Sequence, residues 1–423
     1  MRSFASGAGL TPKIPTPPPG SLVPEDVITD EAGVQNPDGQ NLRVVPLAEE
    51  EEMVAQGAPV AELRGAPGVN LVAPMPGRVA RISLLPGRKL SEIVLFHEVN
   101  GAVKKHGTSC ADTENGLRDL LQSAGLWTWL RRRPFGGIPA TAERPAAIVV
   151  MAIDTRPLAP DPREALFGRE EAFARGVEAL TALTDGPVFV CLEPGRPLFE
   201  PRFGKGRVRV IECGLRHPQG SPGIRVHDLA PATTEMPVWD VHAEDVAALG
   251  EFLETGVLSM MRHVTVTGPA LRESRRVRAQ PGADIRELVR RFVTPGEHVL
   301  ISGSALDGHE AHWLAPRHRQ VTVLPRETQS RRQHWLVAAL TRSAGPKPII
   351  PTAALSHAFG GGLPAAPFVR ALSSGDDETA MKLGVLSLLE EDVALADYVL
   401  GGDAHLAQLL RGMLDRIEVE LAA

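Results

Sequence analysis

Ala146-Ala-Ile-Val-Val-Met-Ala-Ile153 is an unbroken apolar run that stops at Asp154-Thr-Arg-Pro157. It is too short for a buried helix. Its β-branched share fits a strand covered on both faces, the kind found inside parallel sheets. In open α/β sheets ligands bind beyond the carboxyl ends of the strands. No glycine-rich phosphate loop follows this strand. An aromatic, basic segment precedes it instead: Trp127-Thr-Trp-Leu-Arg-Arg-Arg-Pro-Phe-Gly-Gly-Ile-Pro139.

The neighbouring sequence continues the α/β texture. Residues 111–131 read as helix leading into the Trp/Arg loop. Phe173, Val177, Leu180 and Thr184 share one face of a helix over Arg169–Thr184, which Asp185-Gly-Pro187 stops. Pro187–Leu192 and Arg207–Ile211 read as further strands, and Glu244–Glu254 as a helix. Strand, helix and strand at this spacing predict a right-handed βαβ unit. Residues 111–256 are therefore expected to form a Rossmann-like parallel sheet.

Residues 1–40 carry Pro12, Pro15, Pro17, Pro18, Pro19 and Pro24. Proline fixes φ and removes a donor, so an extended arm is expected, either wrapped on another surface or disordered. Between Asn41 and His97, short strand-like runs alternate with Gly and Pro, which predicts a small all-β module over 41–110. The module resembles a biotinyl/lipoyl-type barrel–sandwich hybrid, sharing its Ala-Pro-Met-Pro-Gly turn as Ala73–Gly77. A carrier of that type needs a lysine at a hairpin tip. The corresponding tip, Arg64-Gly-Ala-Pro-Gly-Val-Asn70, has none, so a structural module without cofactor is expected.

His263–Thr267, Arg276–Arg278, a helix Asp284–Phe292 and His298–Ser302 predict a β-grasp (SLBB-like) domain over 257–330. Residues 326–362 are poorly patterned. Residues 331–423 are expected to be a linker and a helical domain, with four short helices from Pro364 onward. Ala404–Glu420 is the clearest, with Leu406, Leu409, Leu410, Met413 and Ile417 at helical spacing.

Composition excludes several classes. The net charge is −6, from 45 basic and 51 acidic residues, without the basic excess of a nucleic-acid binder. Cys110, Cys191 and Cys213 lie far apart, with no C-x-x-C spacing for an iron–sulfur cluster or zinc. Their use fits a reducing compartment. No apolar run approaches the roughly 20 residues that span a bilayer, and the N-terminus lacks the apolar core of a secretory signal.

The chemical motifs are sparse. No G-x-G-x-x-G follows a strand, and Gly204-Lys205-Gly206 is too sparse to cradle phosphates. His309-Glu310-Ala-His312, near His318, spaces its histidines at i, i+3 rather than the i, i+4 of a zincin, and reads as surface histidine. Ser302-Gly303-Ser304 lacks the glycines of a nucleophile elbow. His217–Gly223 either shapes a pocket or only reverses the chain. No catalytic residue, metal site or resident cofactor is expected. Trp127, Trp129, Arg131, Arg133, Phe135, Gly136 and Gly137 are the candidate ligand site. Flat aromatic faces and donors on a flexible loop suit a quinone head, although anchoring a helix in the core is the commoner fate of such tryptophans.

Gly125–Phe135, Met151–Asp161 and Leu183–Cys191 together resemble the NqrA family, the A-type component of the sodium-translocating NADH:quinone oxidoreductase. So do His217–Gly223, Val238-Trp239 with Asp245-Val246, Ile301–Ser304 and Glu390–Leu395. Order and spacing match from about residue 41 to the C-terminus. Three places depart from the family pattern: the arm, which matches only at Gly9-Leu10, the segment Arg326–Leu363, and Tyr398-Val-Leu-Gly-Gly402, where a family cysteine is missing.

The resemblance implies a fold similar to the flavin-bearing NADH-dehydrogenase subunit of complex I and to the C subunit of the Rnf complex. It also implies a peripheral subunit on the cytoplasmic face of a bacterial inner membrane, seated chiefly on the membrane-embedded B subunit. Quinone would be the substrate, with NADH, FAD, FMN, Fe–S clusters and Na+ handled by other subunits. A soluble flavoprotein dehydrogenase and a structural adaptor are the alternatives. Flavin absorbance of the purified chain separates the first, and quinone photolabelling the second.

Overall fold

The protein is described by a computed structural model covering residues 2–4, 7–21, 23–37, 42–196, 198, 206–326, 352–401 and 404–422. Three short strands come first, and each joins a different sheet: β1 (Arg2–Phe4), β2 (Glu25–Val27) and β3 (Glu31–Val34). Next are β4 (Val44–Pro46), β5 (Met53–Val54), β6 (Pro59–Leu63), β7 (Asn70–Val72), β8 (Gly77–Leu85) and β9 (Lys89–His97). They build two antiparallel sheets in the orders β3-β9-β8-β5 and β4-β6-β7.

The central unit holds α1 (Glu114–Ser123), β10 (Arg131–Arg133), β11 (Ala147–Met151), α2 (Glu170–Ala182), β12 (Val188–Leu192), β13 (Val208–Cys213), α3 (Pro222–Leu229), β14 (Val238–His242) and α4 (Ala243–Thr255). Its sheet runs β1-β13-β12-β11-β14-β10, parallel except for β10 at the edge. A further sheet, β18-β17-β19-β15-β16-β2, is built from β15 (Arg262–Thr267), β16 (Arg275–Ala279), β17 (His298–Ser302), β18 (His309–Glu310) and β19 (Gln320–Pro325), with α5 (Ile285–Val289) between β16 and β17. The C-terminal helices are α6 (Ala353–Ala358), α7 (Ala365–Ser374), α8 (Asp377–Lys382), α9 (Glu390–Val399) and α10 (Leu406–Ala422). The chain is a mixed α/β, multidomain protein with several sheets.

β11 is buried at every position, as its sequence predicts. Its side chains alternate with the strand period of two. Ile148 and Val150 join the core shared with α2, α4 and the β-rich module, whereas Ala147, Val149 and Met151 face α3. α2 and α4 pack closely because glycine sits at the crossing. A Cβ on Gly176 would lie 2.0 Å from the Val246 carbonyl oxygen, and one on Gly250 only 1.8 Å from that of Ala172.

Three expectations are corrected. The N-terminal arm is wrapped on other surfaces rather than disordered, and it carries regular structure that the prolines did not predict. Its strands β1, β2 and β3 join three sheets, and between them Leu10 bridges His217 and Pro19 lies beside Ser274. The strand pairing falls outside the proline cluster, where amide donors are available. Second, the helix expected to continue to residue 131 ends at Ala124. Gly125 turns the chain at φ 82°, a short 3-10 turn carries Leu126–Trp129, and Arg131–Arg133 pairs as a strand with β14. Third, the helix expected over Asp284–Phe292 is only Ile285–Val289, capped by the Asp284 side chain. Residues 327–351 of the poorly patterned segment, and Gly204 and Lys205, lie outside the described residues.

Candidate functional site

Trp127 is wholly buried. Its ring meets Trp239 edge-on at 5.4 Å, its Nε1 donates to the Pro139 carbonyl at 2.8 Å, and the Arg118 guanidinium lies 5.5 Å from its centre. This is core packing with the indole N–H satisfied. Trp129 is half-buried under the Arg262 guanidinium, 4.5 Å from its ring centre. Phe135 is buried and lies at φ 74°, followed by Gly136 and Gly137, both at φ 81°. Three successive left-handed residues turn the chain sharply, and glycine carries two of them without a Cβ penalty.

The arginines form a joint between the parallel sheet and the C-terminal helices. Arg131 donates to Asp240 at 3.1 Å and reaches Glu391 at 2.7 Å. Arg133, with no exposed side-chain surface, meets Asp240 at 3.0 Å, Glu391 at 2.9 Å, Asp392 at 2.7 Å and the Ser387 carbonyl at 2.9 Å. Asp392 also accepts from Ser221 Oγ at 2.7 Å and the Gly223 amide at 2.9 Å, so it caps the start of α3. Arg411 of α10 adds a bond to the Phe135 carbonyl at 2.8 Å. Burial works against the charge of Arg133, but Asp392 and Asp240 outweigh it and its pKa lies above the ordinary value. Burial likewise opposes ionised Asp240, yet Arg131 and Arg133 hold its pKa below the usual carboxylate range.

The carboxyl end of the sheet is also filled. The strand order turns around β11, with β12 on one side and β14 on the other. Beyond these strands a dinucleotide would place its phosphates at a helix N-terminus. Here Asp154 pairs with Arg156, which crosses at 3.0 Å to Asp307 near β18. The first turn of α4 carries buried Glu244 and Asp245. They bind Arg319 at 2.8 and 2.7 Å, and Asp245 binds Arg262 at 2.8 Å. Carboxylates at that position repel phosphate and use up the guanidinium donors. His217, in the loop after β13, contacts Thr155 Oγ1 at 3.2 Å. Burial lowers its pKa to about 4.

An open groove of about 740 Å³ lies to one side, between the loop after β11 and the strands β15 and β16. Phe167, Arg163, Arg169, His263, Arg276 and Arg278 line it, and none of the seven Trp/Arg-loop candidates does. A space beside Trp129 is only about 10 Å³, room for a water rather than a ring.

The sequence offered Arg131, Arg133 and Phe135 as part of a ligand site; the structure brings Arg131 and Arg133 onto Asp240, Glu391 and Asp392, which sequence reasoning missed. The available signal was a lone Asp240 inside the apolar strand Val238–Val241, which needs a buried cation. His309 is exposed on β18 and His312 stacks edge-on against Trp313 at 4.0 Å. Among the described residues, no group of three or more His, Cys, Asp or Glu is placed to hold a metal ion. Among them, too, no helix is long and apolar enough to cross a membrane.

Known proteins match this chain over most of its length. A family model described as NqrA second alpha/beta domain matches residues 112–258, and one described as NQRA C-terminal domain matches residues 263–312. The A subunit of the Na(+)-translocating NADH-quinone reductase of Marinomonas sp. (strain MWYL1) is 32% identical over 95% of this chain and 96% of its own length. This chain belongs to the NqrA family, the A subunits of the Na(+)-translocating NADH-quinone reductase. The corresponding proteins of Alcanivorax borkumensis (31% identical, 88% of this chain and 90% of the relative) and Pasteurella multocida (30%, 95% and 98%) agree. A solved chain of an NAD+-reducing [NiFe]-hydrogenase in the H2-reduced state covers 73% of this chain and 63% of its own at 13% identity. Its TM-score of 0.39 is too loose to carry an argument. Within this NqrA-family chain, the stretch matched as the second alpha/beta domain contains Arg133 and Asp240, whereas Glu391 and Asp392 lie beyond both matched stretches. The joint thus ties the family's central unit to the C-terminal helices.

Proposed function

We propose that this NqrA-family chain works as a peripheral subunit of a bacterial NADH:quinone reductase, on the cytoplasmic face of the inner membrane, seated chiefly on the B subunit. It takes part in the quinone-reducing step, and NADH, FAD, FMN, Fe–S clusters and Na+ belong to neighbouring subunits. The observation that carries this reading is the 32% identity spread over 95% of the chain. The filled carboxyl end of the parallel sheet supports a chain without a resident nucleotide. On this reading the arm is residues 1–40, a barrel–sandwich hybrid spans 41–110, a Rossmann-like domain 111–256 and a β-grasp domain 257–330. The linker and helical domain take 331–423.

A quinone would meet the half-buried outer edge of the loop at Trp129, Arg131 and Gly137, while buried Trp127, Arg133, Phe135 and Gly136 hold that edge in position. Photolabelling of the membrane complex with an azidoquinone tests the proposal. Label on residues 127–138 is the expected outcome, and label confined to other subunits refutes a quinone contact by this chain. A second reading, a structural adaptor, draws on the complete burial of Trp127 and Arg133.

A further inference from the structure

One end of the β-rich module presents a row of side chains that crosses from one of its sheets to the other. Leu85 of β8 lies opposite Lys89 of β9, and Lys89 bridges Arg43, the residue before β4. The β4–β6 register pairs Val44 with Leu63, so the next pair outward is Arg43 with Arg64, and the Arg64 amide donates to the Arg43 carbonyl at 2.9 Å. Val44 and Leu63 point into the core, so the strand period of two turns Arg43 and Arg64 outward. Arg88 stands beside the row at the tip of the β8–β9 hairpin, where its carbonyl accepts from the Val44 amide at 3.0 Å. Arg43, Arg64 and Arg88 are exposed and Lys89 is half-buried.

Like charges set directly opposite each other on a sheet destabilise it. Among the described residues, none of these cations forms an ion pair, although Arg78 and Arg81 further back on β8 do, with Glu51 and Glu92. The neighbouring carboxylates are committed elsewhere. Glu62 accepts from the Gly68 amide at 2.7 Å, Glu50 from the Ile82 amide at 3.0 Å, and Glu92 from the Trp313 indole at 2.8 Å. The hairpin tip adds apolar surface to the row: Leu84 is 36% and Leu85 52% exposed, with Pro86 exposed beside them. Leucine next to cations that lack counter-charges is the amphipathic chemistry of a lipid interface. The cations meet head-group phosphates, and the apolar side chains reach the acyl boundary.

We propose that this end of the module docks on an anionic phospholipid bilayer. Arg43, Arg64, Arg88 and Lys89 face the lipid phosphates, and Leu84-Leu85-Pro86 enters the head-group layer. The proposal rests on the reading of the chain as a peripheral membrane subunit and gives that reading a lipid contact besides the B subunit. The chain as a whole carries a net charge of −6, so the attraction is local to the row, and the bilayer orients the chain with the hairpin tip toward it. Lipid phosphate supplies the counter-charge that the opposed cations lack within the chain.

The test is co-sedimentation of the purified full-length chain with vesicles of phosphatidylcholine, with and without phosphatidylglycerol, and with native membranes. Binding to the anionic vesicles and not to the neutral ones is expected, and it should weaken as salt is raised. Arg43→Ala combined with Lys89→Ala should weaken it roughly fivefold per charge removed, and Leu85→Ser should weaken it as well. A charge-matched control, Arg276→Ala combined with Arg278→Ala on β16, whose arginines pair with Glu164 and Asp26, should bind like the wild type. Equal losses in the two double variants would overturn the proposal. So would binding to native membranes without binding to anionic vesicles, which would assign the row to an acidic protein surface. If the vesicles fail while the chain still purifies with flavin-containing membrane subunits, the lipid contact falls and the subunit reading stands. If the chain binds vesicles but purifies without those subunits, the subunit reading falls instead.

Discussion

Arg133 Nη1 lies 2.7 Å from Asp392 Oδ2, and neither side chain has any surface exposed to solvent. The pair joins an edge strand of the parallel sheet to the first turn of α9, 259 residues further along the chain. Two charges taken fully out of water are retained because each is surrounded by hydrogen-bonding partners. Removing one leaves the other uncompensated, which typically costs about 3–5 kcal/mol.

Arg133→Leu and Asp392→Asn are each expected to lower the free energy of unfolding by about that amount. The double variant should lose less than the two single losses added together, because the pair acts as a unit. Urea denaturation of the four proteins checks this. Additive losses would mean that the two groups do not depend on each other.

Stability should fall in acid through His217. Burial lowers its pKa from 6.5 to about 4, so the unfolded chain takes up the proton first. The group's contribution is fully present above about pH 6.5 and is lost as pH falls toward 4. By linkage it is worth on the order of 3 kcal/mol. Asp240, with its lowered pKa, contributes stability present above its unfolded pKa and lost as pH falls toward its folded one. Buried His242 and His318 are lowered in the same way, so the difference between wild type and variant, not the wild-type slope, isolates His217. Denaturation of the wild type and His217→Gln at several pH values measures it, and the variant should show a shallower slope there.

Gly250→Ala places a Cβ 1.8 Å from the Ala172 carbonyl oxygen, a backbone atom that cannot step aside. α2 and α4 must separate, at a cost of about 1–3 kcal/mol or more. A thermal scan should show a clear drop in Tm. An unchanged Tm would mean that the two helices are not in close contact there.

Arg156 bridges Asp154, in the loop after β11, and Asp307, in the loop between β17 and β18. Arg156→Met should raise amide exchange around residues 304–309 while leaving Trp127 fluorescence unchanged. Faster exchange throughout the chain would instead show that Arg156 supports global stability rather than one joint.

Much of the fold was written locally. Ala146–Ile153 had to be a buried strand because no other short element satisfies an apolar run of that length, and the helix α2 announced itself through Phe173, Val177 and Leu180. Arg131–Arg133 gave no such signal. Three successive arginines show none of the apolar alternation that marks a strand, and they pair because Asp240, 107 residues from Arg133, supplies the counter-charge. The wrapping of the arm was one of two expectations, but its strands were not legible, for a related reason. Prolines mark where it cannot pair, but Glu25–Val27 and Glu31–Val34 lie beyond them and find edges that only tertiary structure creates. The candidate site was legible as a cluster and opaque as geometry, since the carboxylates that bury its arginines come from distant elements.

The most direct measurement is affinity purification of the tagged chain from native membranes, with subunit identification and a redox difference spectrum. The account predicts stoichiometric recovery with flavin-containing membrane subunits and flavin signals reducible by NADH. Recovery of the chain alone from the soluble fraction, with or without a flavin of its own, would contradict it.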